Sequence, residues 1–226
     1  GNLTVECKPE CPDVFQLTAD DGATHTVITL TSRYYVVCDL GYENGKIVLK
    51  DTENGAVLNK LKATDLRLKK MDFGPDSYAA QTFYIDADSD SVYAGKTVGL
   101  HWFSGVPGAV GSVESGSLAA ARKIWNGGGM TIPVIYGLKS DGQDYYTLTQ
   151  TPIVLTDDNF EKTEVLSLDA VKSHHLEIRA TVNNPTREPV VFRVNESADK
   201  KYYTEIGWNK KDGYYVDRTH TETGGV

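Results

Sequence analysis

The sequence predicts an all-β protein. Short segments rich in β-branched and aromatic residues follow one another almost from end to end, each bounded by Gly, Asn, Asp or Pro. Turn dipeptides suited to hairpins fall among them: Asn44-Gly45, Asn54-Gly55, Asp141-Gly142 and Asp212-Gly213. Composition agrees, with 13 tyrosines and 21 glycines in 226 residues. One stretch, 117–123, has a helical pattern, and it is short enough to be a loop. These features admit a propeller, a barrel or a sandwich.

In chain order the predicted strands are 14–18, 25–32, 34–40, 46–51, 78–86, 97–104, 130–138 and 145–151. Val14, Phe15 and Leu17 mark the first, Val27, Ile28 and Leu30 the second, and Tyr34-Tyr35-Val36-Val37 the third. The polar run Asp157-Asp158-Asn159-Phe160-Glu161-Lys162 then breaks the alternation and suits a linker. Beyond it come predicted strands at 174–183, 189–195, 202–208 and 213–218. The 174–182 stretch alternates apolar and polar residues, as a half-exposed sandwich strand does. The predicted organisation is a first domain over 1–156, a linker over 157–163 and a second domain over 164–226. A sandwich drawn only from 164–226 is small and open-edged, so both ends of the chain read as cut.

The net charge is −8 and the pI about 5.1. An acidic surface repels phosphate backbones, so no nucleic-acid partner is expected. No stretch is long and apolar enough to span a membrane as a helix, and no membrane partner is expected. Cys7, Cys11 and Cys38 form neither a disulfide framework nor a zinc-site spacing, and read as small buried or half-buried thiols. His174 and His175 fall on alternate strand faces and cannot share a metal.

Three segments carry chemistry. The first is Glu10-Cys11-Pro12-Asp13, where Pro12 biases Cys11 toward extended backbone at a strand start or turn. The carboxylate there either points into a pocket or is solvated. The second is Asp72-Phe73-Gly74-Pro75-Asp76-Ser77-Tyr78, a loop entering a strand. Its Asp-Phe-Gly lacks the other signatures of a protein kinase. The third is Gly127-Gly128-Gly129-Met130-Thr131-Ile132-Pro133, closed later by Gln150-Thr151-Pro152. No helix with a following Lys-Ser or Lys-Thr makes this a phosphate loop.

Together these segments resemble glycoside hydrolase family 32, the invertases, inulinases, levanases and related β-fructosidases. Glu10-Cys11-Pro12 is similar to the family's Glu-Cys-Pro motif, which holds the general acid/base. Residues 72–83 resemble the loop-strand motif of the next blade. His101-Trp102-Phe103-Ser104 is similar to a later tryptophan segment, and Tyr215-Val216-Asp217-Arg218-Thr219 resembles a strand of the C-terminal sandwich. The resemblance implies an all-β fold: the later blades of a five-bladed β-propeller, then part of a C-terminal β-sandwich.

It also implies a retaining mechanism on a fructose-containing oligo- or polysaccharide such as sucrose, inulin or levan. One carboxylate attacks the anomeric carbon, and a second carboxyl protonates the leaving oxygen and later deprotonates water. The resemblance gives Glu10 the second role, with Asp76, Tyr78 and Trp102 as substrate contacts and no metal or cofactor. The plain alternative for Tyr78 is a packed strand residue, and for Trp102 a core aromatic. Glu6 is the rival to Glu10 but lacks the following proline.

The departures matter as much. The family's nucleophile lies in an Asn-Asp-Pro motif and a second aspartate in Arg-Asp-Pro; neither occurs in these 226 residues. The expectation is that the isolated chain is inactive, and that it self-associates or pairs with the missing portion. The alternative reading is a non-catalytic carbohydrate-binding or structural protein on the same scaffold.

Overall fold

A computed structural model describes residues 3–6, 10–31, 33–73, 77–103, 129–142, 145–153, 171 and 177–221. The chain divides into two compact units, Gly1–Ile153 and Val154–Val226. Among the described residues there is no helix. The protein is all-β, with propeller-type sheets in the first unit and a sandwich-type sheet in the second.

The first sheet is an antiparallel meander of β2 (Asp13–Thr18), β3 (Thr24–Leu30) and β4 (Tyr34–Glu43). The outer edge of β4 is shared. β5 (Lys46–Lys50) pairs with its second half, and β7 (Lys69–Lys70) with its first. The β4–β5 hairpin turns on Asn44 (φ 49°) and Gly45 (φ 77°), the two successive left-handed residues that a tight hairpin needs. A short parallel pair, β1 (Thr4–Val5) with β6 (Lys60–Leu61), completes this region.

The second sheet holds β8 (Ser77–Tyr84), β9 (Thr97–Phe103), β11 (Val134–Ser140) and β12 (Tyr146–Pro152) in antiparallel order. The short β10 (Gly129–Met130) continues the edge that β11 occupies on β9. The sequence suggests one strand over 130–138. The structure breaks it between Met130 and Val134, where Pro133 has no N–H to give the ladder.

Both faces of β3 are covered, which is why it is apolar or buried almost throughout instead of alternating. On one face Val27 joins Leu17, Tyr35, Tyr136, Leu138 and Leu148 in a core drawn from both sheets. On the other, Leu30, Val36 and Cys38 pack with Leu61 and Leu68, and Val5 lies against them. Cys38 is fully buried, and burial with Asp39 beside it pushes its thiol up to about 12. Cys11, by contrast, is exposed, and Cys7 lies outside the described residues.

The second unit contains β13 (Val190–Val194), β14 (Thr204–Asn209) and β15 (Gly213–Asp217) in an antiparallel sheet. Asp212-Gly213 closes its last hairpin, with Gly213 at φ 71°. The strand expected at 174–183 is not formed over its described residues, 177–183. Those residues are largely exposed and have no ladder neighbour among the described residues, so apolar–polar alternation had no sheet to join. The 117–123 stretch and His174 and His175 lie outside the described residues.

One close approach tests the packing. The ring of Tyr136 lies where a side chain on Gly99 would stand, so a Cβ there would overlap it. Gly99→Ala is expected to lower stability by about 1–3 kcal/mol, read as a shift in the urea midpoint with unchanged slope.

Candidate active site

Glu10 sits just ahead of β2 and is exposed. Its backbone is held to the end of β3, where Thr31 N–H donates to the Glu10 carbonyl at 2.8 Å. Cys11 then adopts φ 46°, a left-handed turn in place of the extended backbone expected before Pro12. That turn aims the chain into β2, where Asp13 Oδ2 accepts from Thr82 N–H of β8 at 2.6 Å. The Glu10 loop is thereby tied to the second sheet as well as the first.

Tyr78 reaches Glu10 from β8: its hydroxyl donates to the Glu10 carboxylate oxygen Oε2. That bond, then partial burial and the Glu10 and Cys11 charges, push the Tyr78 phenol up to about 12. Trp102 of β9 pairs directly across from Tyr78, and the two rings meet edge to face with centroids 6.1 Å apart. Trp102 is 40% exposed and is not a sealed core aromatic.

The structure therefore brings Glu10, Tyr78 and Trp102 together. Asp76 lies outside the described residues. Glu6 is occupied elsewhere: it lies 3.7 Å from Lys60 Nζ and accepts from Ala63 N–H at 3.4 Å. Among the described residues no group of three or more His, Cys, Asp or Glu side chains could hold a metal.

Behind Tyr78 lies a polar chain that sequence reasoning missed. His101 is 3% exposed, with Nδ1 2.7 Å from Ser77 Oγ and Nε2 2.7 Å from Tyr136 Oη. Burial lowers the His101 pKa, against a small opposing pull from Asp72. Burial also raises the Tyr136 phenol, and the Asp13 and Asp72 charges add to it. The only sequence signal was a histidine beside Trp102 on a strand that must be buried on one face.

The antiparallel sheets define an all-β protein with propeller-type sheets, and they set an exposed carboxylate beside two aromatic side chains. The Glycosyl hydrolases family 32 N-terminal domain matches residues 2–106, and the family 32 C terminal matches residues 144–225. The chain belongs to glycoside hydrolase family 32. It is 34% identical over 76 residues to a fructan beta-fructosidase of Streptococcus mutans, a match covering 34% of this chain and 5% of that protein. Its fold is similar to that of an exo-inulinase from Aspergillus awamori, with TM-score 0.54 and 19% identity, over 95% of this chain and 43% of that one. The chain thus spans less than half the length of either protein.

His101 gives this region a pH signature. Its folded pKa lies below its ordinary 6.5, so the unfolded chain takes up the proton first. The contribution to stability is full above about pH 6.5 and is lost as pH falls through that value toward the folded one. Urea midpoints at pH 8 and pH 5 should therefore fall further for the wild-type chain than for His101→Gln.

Proposed function

We propose that this chain supplies the acid/base half of a retaining β-fructosidase that cleaves sucrose, inulin or levan. Family membership supports a glycosidase, and the relatives named for fructan and inulin support the substrate class. The observation that carries the reading is the Glu10–Tyr78 contact beside an open Trp102 face.

Glu10 protonates the leaving sugar oxygen and then takes a proton from water. An acid of this kind works from a partly dry setting. Cover over the carboxyl from the bound sugar and from the portion that carries the nucleophile supplies that setting. Trp102 and Tyr78 offer aromatic faces to sugar carbons, and Asp76 offers a carboxylate to sugar hydroxyls. The nucleophile comes from outside these residues, because neither Asn-Asp-Pro nor Arg-Asp-Pro occurs among them.

That same absence favours one other reading, a non-catalytic carbohydrate-binding protein. The two readings separate on the full-length protein. Fructose release from inulin, levan or sucrose, falling by about 10²–10⁴-fold in Glu10→Gln, is the expected result. Turnover by Glu10→Gln equal to wild type would remove Glu10 from the mechanism. Binding of fructan with no release by the wild-type protein would favour the non-catalytic reading.

The 226-residue chain alone is expected to release no fructose, since half of the carboxylate pair is missing. It is also expected to self-associate. β13 and β15 leave sheet edges unpaired among the described residues, with Val216 and Tyr214 exposed beside them. Sedimentation at rising concentration should show an increasing mass, and a constant monomer mass would contradict this.

A further inference from the structure

Glu10 leads into the first sheet and Tyr78 stands on the second, so their contact depends on how β8 is set against β9. That setting is irregular. Tyr78 pairs with Trp102 and Gln81 with Leu100, so Ala79 and Ala80 together face His101 alone. This is a β-bulge, with Ala79 at φ 49°. A bulge interrupts the ladder, and a slip of one residue there would turn Tyr78 to the opposite face, away from Glu10. Ser77 and Tyr78 pair with Phe103 and Trp102, but the bulge separates that short pairing from the rest of the β8–β9 ladder.

His101 sits opposite the irregularity and bonds to the strands on both sides of β9. Through Nδ1 it meets Ser77, the residue next to Tyr78. Through Nε2 it meets Tyr136 of β11, the strand along the other edge of β9. Tyr136 reaches it only because Gly99 leaves room for the ring. A neutral imidazole has one donor and one acceptor, and two hydroxyls can complete it in either tautomer. Any buried imidazole needs a partner at each ring nitrogen; what sets His101 apart is that its partners lie on the strands flanking its own, one of them next to Tyr78.

We propose that His101 is a positioning residue: by joining Ser77 to Tyr136 it holds the β8 bulge in the register that carries the Tyr78 hydroxyl to Glu10. The proposal rests on the reading of Glu10 and Tyr78 as working parts of the site. It assigns a role to a side chain that touches no substrate.

The test reads Tyr78 directly in the 226-residue chain. With ¹³C-labelled tyrosine, NMR at about pH 11 resolves phenol from phenolate, and Tyr78→Phe assigns the signal. A phenol pushed up to about 12 is about one-tenth ionised there, and one at the ordinary 10.0 about nine-tenths. Glu10→Ala sets the reference for a broken contact and should give the high fraction. His101→Phe and Tyr136→Phe should move Tyr78 toward that same fraction while circular dichroism keeps the β spectrum. His101→Gln, whose amide can hold one hydroxyl, should move it less.

If Tyr78 stays about one-tenth ionised in both phenylalanine variants, His101 has no positioning role. If His101→Phe does not fold, Tyr136→Phe, which removes a single oxygen, decides alone. If wild-type Tyr78 is already about nine-tenths ionised, the Glu10–Tyr78 contact fails, and the reading of the site fails with it.

Discussion

Strand β2 has to satisfy two sheets at once, and the placement of everything near Glu10 follows from that. Its backbone pairs with β3 from Asp13 to Thr18. Its side chains go the other way: Leu17 enters the core with Leu138, and Phe15 stacks on Tyr136 with centroids 5.5 Å apart. At its start Asp13 takes Thr82 N–H from β8, and just past its end Asp20 takes Ser140 N–H from β11. Ala19 bridges to Leu138 between those anchors. Apolar burial supplies most of the free energy of such a seam, but it is non-directional. The polar anchors supply what burial cannot: a fixed offset of one sheet along the other.

The same division of labour holds inside the second sheet. The core there contains tyrosines and a histidine instead of aliphatic side chains alone. Burying them without partners would cost about 1–3 kcal/mol for each unsatisfied group. Ser77, His101 and Tyr136 meet that demand among themselves, so the chain is close to neutral in energy yet strict in geometry. A leucine-filled version could be as stable, but it would not distinguish one bulge register from the next. Placing the directional contacts at the irregularity puts specificity where the ladder has least.

Much of the fold could be read from the sequence because its signals are local. The runs around Val27, Val36 and Val98 are short and apolar, and Asn44-Gly45 can scarcely be anything but a tight turn. The pair β1 and β6 was not legible, since two-residue strands such as Thr4–Val5 carry no periodicity. The expected strand at 174–183 shows the opposite error, because alternation marks a segment able to join a sheet without naming its neighbour. In the site, Glu10 and Tyr78 were legible as separate motif residues, 68 positions apart. Their contact was not, since it arises from the seam and the bulge. His101 was invisible because its role lies wholly in long-range partners, 24 and 35 residues away.

On the proposed reading, the Tyr78 bond also shapes what Glu10 can do. A carboxyl group acting as acid must give up a proton from one oxygen and leave negative charge shared over both. Tyr78 already donates to Oε2, so that charge meets a hydrogen bond the moment it forms. The sugar, covering an exposed carboxyl, works in the other direction by removing water that would otherwise stabilise the ion. A retaining mechanism asks a single residue to give up a proton and then recover it, so both effects bear on the same carboxyl. The hydrogen bond comes from within the chain, and the desolvation from whatever covers the carboxyl. The first effect requires Tyr78 in place, and its place is set by the bulge and the seam.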